Sequence, residues 1–99
     1  MPRGSGTVRF FREATADLKR AALWYEDHQA GLGKAFTDAV RRAVDLIALG
    51  PERWPVRRGT RRFALRRFPY TIAYRIDATG IVVLAVAHHR LDPSAWEGR

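Results

Sequence analysis

The chain has 99 residues, 46% of them hydrophobic and 28% charged, with a formal net charge of +8 and no cysteine. A chain of this length supports one core rather than two, and its composition is that of a globular domain, not of a disordered segment. Without cysteine there is neither a disulfide framework nor a thiolate metal site, which fits a reducing, cytoplasmic setting.

The charge is unevenly spread. From Arg53 to Ile76 there are eight arginines and no acid, whereas seven of the ten acids lie between Glu13 and Glu52. A one-sided basic field favours polyanions or an acidic protein partner, because neighbouring cations add their potentials. Solvated strand faces would give the same pattern. Sixteen of the 18 basic residues are arginine, which suits bidentate recognition of phosphate or carboxylate but also follows from codon bias, so no function is taken from it.

Residues 1–6 read as a flexible natural end or a remnant of cloning, and residues 7–99 as a single domain. Thr7 to Phe11 has the β-branched and aromatic content of a short strand, with Arg9 and Arg12 suggesting a sheet edge. From Glu13 to His28, apolar residues recur at Ala14, Leu18, Ala21, Leu23 or Trp24, and Tyr25, the spacing of an amphipathic helix. Gly31 and Gly33 interrupt it and predict a helical hairpin. The second helix, Gly33 to Leu49, carries the stripe Leu32, Phe36, Ala39, Val40, Ala43, Leu46 and Ile47, and Gly50-Pro51 stops it.

Pro51 to Gly59, with two prolines and Arg57-Arg58, reads as a loop. Arg61 to Arg67 alternates Phe63 and Leu65 against Arg62, Ala64 and Arg66, which predicts a half-buried strand with a basic face. Tyr70, Ile72, Tyr74 and Ile76 keep the period of two in a third strand, with Arg75 opposite. Asp77 to Gly80 is a hairpin turn, and Ile81 to Ala87, apolar throughout, predicts a strand at the sheet centre. The resulting class is α+β in the order β-α-α-β-β-β, a helical hairpin packed on a small, curved, mostly antiparallel sheet. No apolar run is long enough to span a bilayer and the N-terminus lacks a signal-peptide stretch, so a cytoplasmic location without a membrane partner is expected.

Several residues carry candidate chemistry. Metal-free cleavage of RNA needs a proton-transfer group near the 2′-hydroxyl and cations for the charge that builds on phosphate. Arg62, Arg66, His88, His89 and Arg90 would supply these if the basic face of the second strand adjoined the end of the fourth. His88 and His89 are adjacent on a strand and point to opposite faces, so shared metal binding is not expected. His88 reads more readily as a cap on the sheet end. The glycine pair before Lys34 lacks the pattern of a phosphate loop, and nucleotide binding is rejected. No cofactor and no metal are expected.

The ordered blocks Ala16-Asp17-Leu18, Trp24-Tyr25-Glu26, Gly31-Leu32-Gly33 with Phe36, Pro51-Glu52-Arg53-Trp54-Pro55, Phe68-Pro69-Tyr70 with Ile72 and Tyr74, and His88 with Arg90, Pro93 and Trp96 together resemble the RelE/ParE superfamily of type II toxin–antitoxin toxins, in its ParE-like branch. The resemblance covers Arg9 to Arg99. It implies a toxin neutralised by a ParD-like or related antitoxin whose C-terminal segment wraps it, and inhibition of DNA gyrase by binding alone. The alternatives are a RelE-like messenger-RNA endonuclease, free or on the ribosome, and a toxin fold with another or lost activity. Where many relatives read His-x-Arg-Arg-x-Pro-x-Tyr-Trp, this chain has Leu91 for the second arginine and Ala95 for the tyrosine, which weakens the nuclease reading.

Candidate contacts to target or antitoxin are Arg61, Arg62, Arg66, Arg67, Arg75, Arg90 and Trp96. A basic strand face beside an apolar groove suits an acidic amphipathic helix or an added strand. Phe68-Pro69-Tyr70 is read as setting the start of the third strand, and Trp24 and Tyr25 as core or hairpin-packing residues.

Overall fold

The computed structural model describes residues 7–99; what was expected of residues 1–6 lies outside them. The elements are β1 (Val8–Phe10), α1 (Arg12–His28), α2 (Leu32–Leu49), a single 3-10 turn at Pro51–Arg53, β2 (Arg61–Ala64), β3 (Tyr70–Asp77), β4 (Gly80–His88) and a helical turn, α3 (Ser94–Glu97). The sheet order is β1-β4-β3-β2, with β1 parallel to β4 and the other pairs antiparallel. The expected α+β class and element order hold, with α3 added.

The helical hairpin explains two sequence blocks at once. α1 and α2 approach so closely that a Cβ on Gly33 would lie 2.6 Å from the Ala22 carbonyl oxygen. Glu26 closes the turn: its carboxylate accepts the Gly31 N–H at 3.0 Å and the Gly33 N–H at 3.0 Å, placing negative charge on the N-terminal end of α2, where free N–H groups and the helix dipole favour it. Tyr25 then enters an aromatic cluster with Phe36, Phe68 and Tyr70, ring centroids 4.9–6.1 Å apart. Each fully buried side chain in this layer, such as Phe36, Ile47 or Ile72, contributes about 1.5–3 kcal/mol by leaving water.

Trp24 behaves differently from its neighbour. Expected in the core or the hairpin packing, it is 55% exposed and stacks on the solvent-facing His28 at 3.8 Å. One α1 stripe is wide enough for Ala21 and Tyr25 but not for the residue between two of its positions. Leu46 of the α2 stripe is likewise half exposed.

β4 is one of the two inner strands, and Ile81 to Ala87 are all buried. The register shifts between Ala73 and Tyr74: Ala73 pairs with Ala85 and Tyr74 with Val83, so Leu84 is an extra residue in a β-bulge. As a result Val83 and Val86, three apart, both join the core under the helices, while Ala73, Ala85 and Ala87 form a second cluster with Trp96.

The second strand is shorter than its alternation suggested. The β2 ladder stops at Ala64, Leu65 N–H closes on the Tyr70 carbonyl at 2.9 Å and Tyr70 N–H on that of Phe68 at 2.8 Å. Arg66 to Pro69 therefore form the connection. Phe68 is 5% exposed inside the aromatic cluster, so this block does start β3 by packing.

Candidate functional site

The face of the sheet away from the hairpin is covered by the C-terminal segment. Alanines at 73, 85 and 87 leave a shallow bed that the Trp96 indole fills, at 3% exposure. Arg62, on β2, lays its guanidinium 4.9 Å over that ring and binds Glu97 at 2.9 Å. Arg58 reaches the same carboxylate at 3.8 Å from a turn in which it holds φ of 54°, a left-handed conformation that a non-glycine residue adopts rarely. Asp92 starts the short helix by accepting the Ser94 N–H at 2.9 Å, and this bond, with the Ser94 hydroxyl, holds its carboxyl below the usual range. Two donors in this packing, Arg62 Nε and Trp96 Nε1, are buried with no acceptor among the described residues.

The terminal residue ties the segment to both layers. Arg99 Nη1 donates to Asp17 Oδ2 on α1 and to the Leu84 carbonyl on β4, each at 2.9 Å, and its own main-chain oxygen accepts from Arg75 at 3.1 Å. Asp17 also accepts the Val86 N–H at 3.1 Å and pairs with Arg20 at 2.8 Å. Asp17 belongs to one of the sequence blocks, but neither it nor Arg99 was a site candidate, since their contacts are with residues 69 and 82 positions away.

The candidates for cleavage are gathered in part. A cavity of about 270 Å³ is lined by Arg57, Arg62, His88, His89, Thr71 and Trp96 among others. Arg66 and Arg90 do not line it. His88 Nδ1 accepts the Arg90 N–H at 3.0 Å, and the His88 ring sits edge-on to Tyr70, 5.2 Å away. It caps the end of β4, as expected from its position. The tyrosines stay in their phenol form: burial raises the hydroxyl pKa of Tyr25, Tyr70 and Tyr74, and the Tyr74 hydroxyl donates to the Pro51 carbonyl at 2.6 Å. Among the described residues no three of His, Cys, Asp and Glu group to hold a metal.

The remaining candidates separate into structural and exposed cations. Arg61 donates to the Trp54 and Glu52 carbonyls at 2.6 and 3.2 Å, tying the loop to β2. Arg75 lies 5.5 Å from the Phe11 ring centroid. Trp96 presents its ring to the sheet rather than to solvent. Arg66 and Arg67 are exposed and have no carboxylate partner among the described residues. Together with Arg42 they line a groove of about 220 Å³ between α2 and β2, floored by Leu46 and Phe63. Arg42, on the balanced helical half, was not singled out in the sequence.

A further groove, about 540 Å³, runs between α1 and the end of β4, lined by Asp17, Arg20, Trp24, Tyr70, Val86 and His88 among others. Exposed Trp24 and Leu91, 55% and 48%, flank it. No helix among the described residues is long and apolar enough to cross a membrane.

This hairpin on a four-stranded mixed sheet defines a small α+β protein of the RelE/ParE fold. A family model described as the ParE toxin of the type II toxin–antitoxin system parDE matches residues 8–93, and the chain belongs to that family. Among solved structures it is similar to a chain of the chromosomal ParDE toxin–antitoxin system from P. aeruginosa, with a TM-score of 0.73 and 22% identity over 87% of this chain and 98% of that one. It is also similar to a chain of the toxin–antitoxin complex RelBE2 from Mycobacterium tuberculosis, with a TM-score of 0.58 and 31% identity over 85% of this chain and 98% of that one. No curated protein matches in sequence.

Proposed function

We propose that this chain is the toxin of a type II module, held inactive by a cognate antitoxin, and that it acts by binding DNA gyrase rather than by cutting RNA. The observation that carries the preference for binding is the state of Arg62. Its guanidinium, the cation best placed to hold a scissile phosphate, is already engaged by Glu97 and stacked on Trp96. His88 Nδ1 is occupied by the Arg90 amide, and the tyrosine that many relatives carry is here Ala95. A metal-independent nuclease needs a free base and free cations at one phosphate. A binding toxin needs neither.

An antitoxin partner is supported by the similar structures, one from a ParDE toxin–antitoxin system and one from a RelBE2 toxin–antitoxin complex. Charge supports it too, since exposed Arg66 and Arg67, without carboxylate partners among the described residues, leave a basic surface beside exposed Leu46. Such a surface steers an acidic partner and speeds its association.

RNA cleavage is the second reading, favoured by the convergence of Arg57, Arg62, His88 and His89 on one cavity. Pulse-labelling of DNA and protein synthesis within minutes of induction in a host without antitoxin separates the two. DNA synthesis stopping first, with DNA-damage induction, is the expected result. Protein synthesis stopping first would overturn it in favour of cleavage.

A further inference from the structure

At one end of the sheet, where β2 has stopped, β3 begins and β4 finishes, the chain gathers exposed cations. Arg66 and Arg67 lie in the connection from β2 to β3 and Arg90 follows β4; all three are exposed. Two contacts bring these segments together: the His89 N–H donates to the Pro69 carbonyl at 2.8 Å, and Tyr70 pairs with His88 across the ladder. None of the three arginines pairs with a carboxylate among the described residues. Arg42 on α2 lines a groove with Arg66 and Arg67. Asp38, whose carboxyl also feels Arg42, is bonded to Lys34 at 2.8 Å.

The acids nearest in the chain are engaged elsewhere. Asp92, two residues past Arg90, accepts the Ser94 N–H at 2.9 Å, and from Arg53 to Ile76 there is no acid at all. The cations are also held in place. The Leu65 N–H closes the connection on the Tyr70 carbonyl at 2.9 Å, buried Phe68 anchors it in the aromatic cluster, and the Arg67 guanidinium lies 5.2 Å from the Phe68 ring centroid. A fixed turn loses less freedom on binding than a loose one.

Arginine in this setting suits phosphate, and the rings nearby decide which polyanion fits. Single strands are held by successive exposed rings on which unpaired bases stack. Here Phe68 and Tyr70 pack against Phe36, and within residues 66–70 and 88–90 His89 is the one exposed ring. Clustered cations without a stacking platform match a duplex, whose phosphates present a charge about every 1.7 Å along the axis.

We infer that this end of the sheet binds the phosphate backbone of duplex DNA through Arg66, Arg67 and Arg90, with Arg42 at the flank. Phosphate contacts carry no sequence information, so the site concentrates the protein on DNA without choosing a sequence. The inference goes beyond the gyrase reading and does not depend on it. The acidic partner that Arg66 and Arg67 steer meets the same cations, so the test uses the toxin without antitoxin.

The measurement is fluorescence anisotropy of an end-labelled DNA duplex of about 20 base pairs, titrated with free toxin between about 50 and 200 mM salt. Neutralising three phosphates gives a slope of about −3 in log K against log salt, so affinity is expected to fall about 40-fold over that range. Arg66→Ala with Arg67→Ala and Arg90→Ala is expected to weaken binding at least tenfold at low salt and to remove most of the salt dependence. Arg12→Ala with Lys19→Ala and Arg41→Ala takes the same charge from exposed positions on the helices. This control is expected to stay within about threefold of the parent, because its groups touch no phosphate in this arrangement. An equal loss in the control, no loss in the site variant, or no binding of the duplex at the low-salt end overturns the inference. Tighter binding of single-stranded RNA of the same length overturns it too. None of these results bears on the pulse-labelling test, so the gyrase reading stands or falls separately.

Discussion

Replacing Trp96 by phenylalanine and by alanine tests the account of the C-terminal cover most directly. The indole is 3% exposed against Ala73, Ala85 and Ala87, beneath the Arg62 guanidinium. Truncation to alanine removes a large buried ring, which in cores costs about 3–5 kcal/mol, plus a cation–π contact of about 0.5–1 kcal/mol. It also removes the orphaned Nε1–H, whose burial costs about 1–3 kcal/mol, so the mid-range net loss for Trp96→Ala is about 3 kcal/mol. Trp96→Phe keeps most of the packing and the cation–π contact while deleting the same orphaned donor. The lost area, roughly that of one or two methylenes at about 0.8 kcal/mol each, is then offset by relief of the donor. Trp96→Phe is therefore expected to lie within about 1 kcal/mol of the parent protein.

Urea unfolding followed by far-UV circular dichroism, with linear extrapolation and an unchanged slope, reads both numbers. For a domain of this size 1 kcal/mol moves the thermal midpoint by about 4–8 °C, so the two variants separate clearly. A Trp96→Phe variant destabilised by more than about 2 kcal/mol would mean that Nε1 is satisfied in solution, and the reasoning that the cover is held against a cost would fail.

Three further outcomes follow from other parts of the molecule. Gly80→Ala puts a Cβ 2.5 Å from the Thr7 carbonyl oxygen at a φ of +128°, a strain of about 1–3 kcal/mol that should lower the urea midpoint and loosen β1; an unchanged midpoint would refute the close approach. Asp77 has its carboxyl pKa lowered first by the Thr79 hydroxyl and backbone bonds, then by Arg9. Its contribution is thus present above the unfolded value of about 3.9 and lost as pH falls through the lower folded value; Asp77→Asn should flatten the pH–stability curve in that window, and an identical curve would show the turn bonds to be idle. Arg66→Glu with Arg67→Glu, both exposed and without carboxylate partners among the described residues, should slow antitoxin association at least tenfold at low salt and leave folding intact. Association kinetics by surface plasmon resonance would show this, and a rate equal to the parent's would exclude this surface from steering.

Periodicity and turn chemistry carried most of the architecture. The stripes of α1 and α2, the alternation from Tyr70 to Ile76 and the apolar run Ile81 to Ala87 name their own elements, because burial on one face or on both dictates residue choice at a fixed period. The ordered blocks likewise pointed to the family to which the chain belongs. What pattern could not give is whatever depends on groups far apart in the chain. Trp24 and Tyr25 are adjacent and alike in sequence, yet only the packing of α1 against α2 and the sheet sends one to solvent and the other to the aromatic cluster. Arg62 reads as an exposed cation on a basic strand face until a four-residue helix, too short to show a period, lays Trp96 and Glu97 over it. Asp17 reads as one solvated helix residue among several until the fold sets it against the Val86 amide and Arg99. Local order follows from local chemistry, whereas which charges are free to meet a partner is decided by contacts between residues that only the tertiary structure brings together.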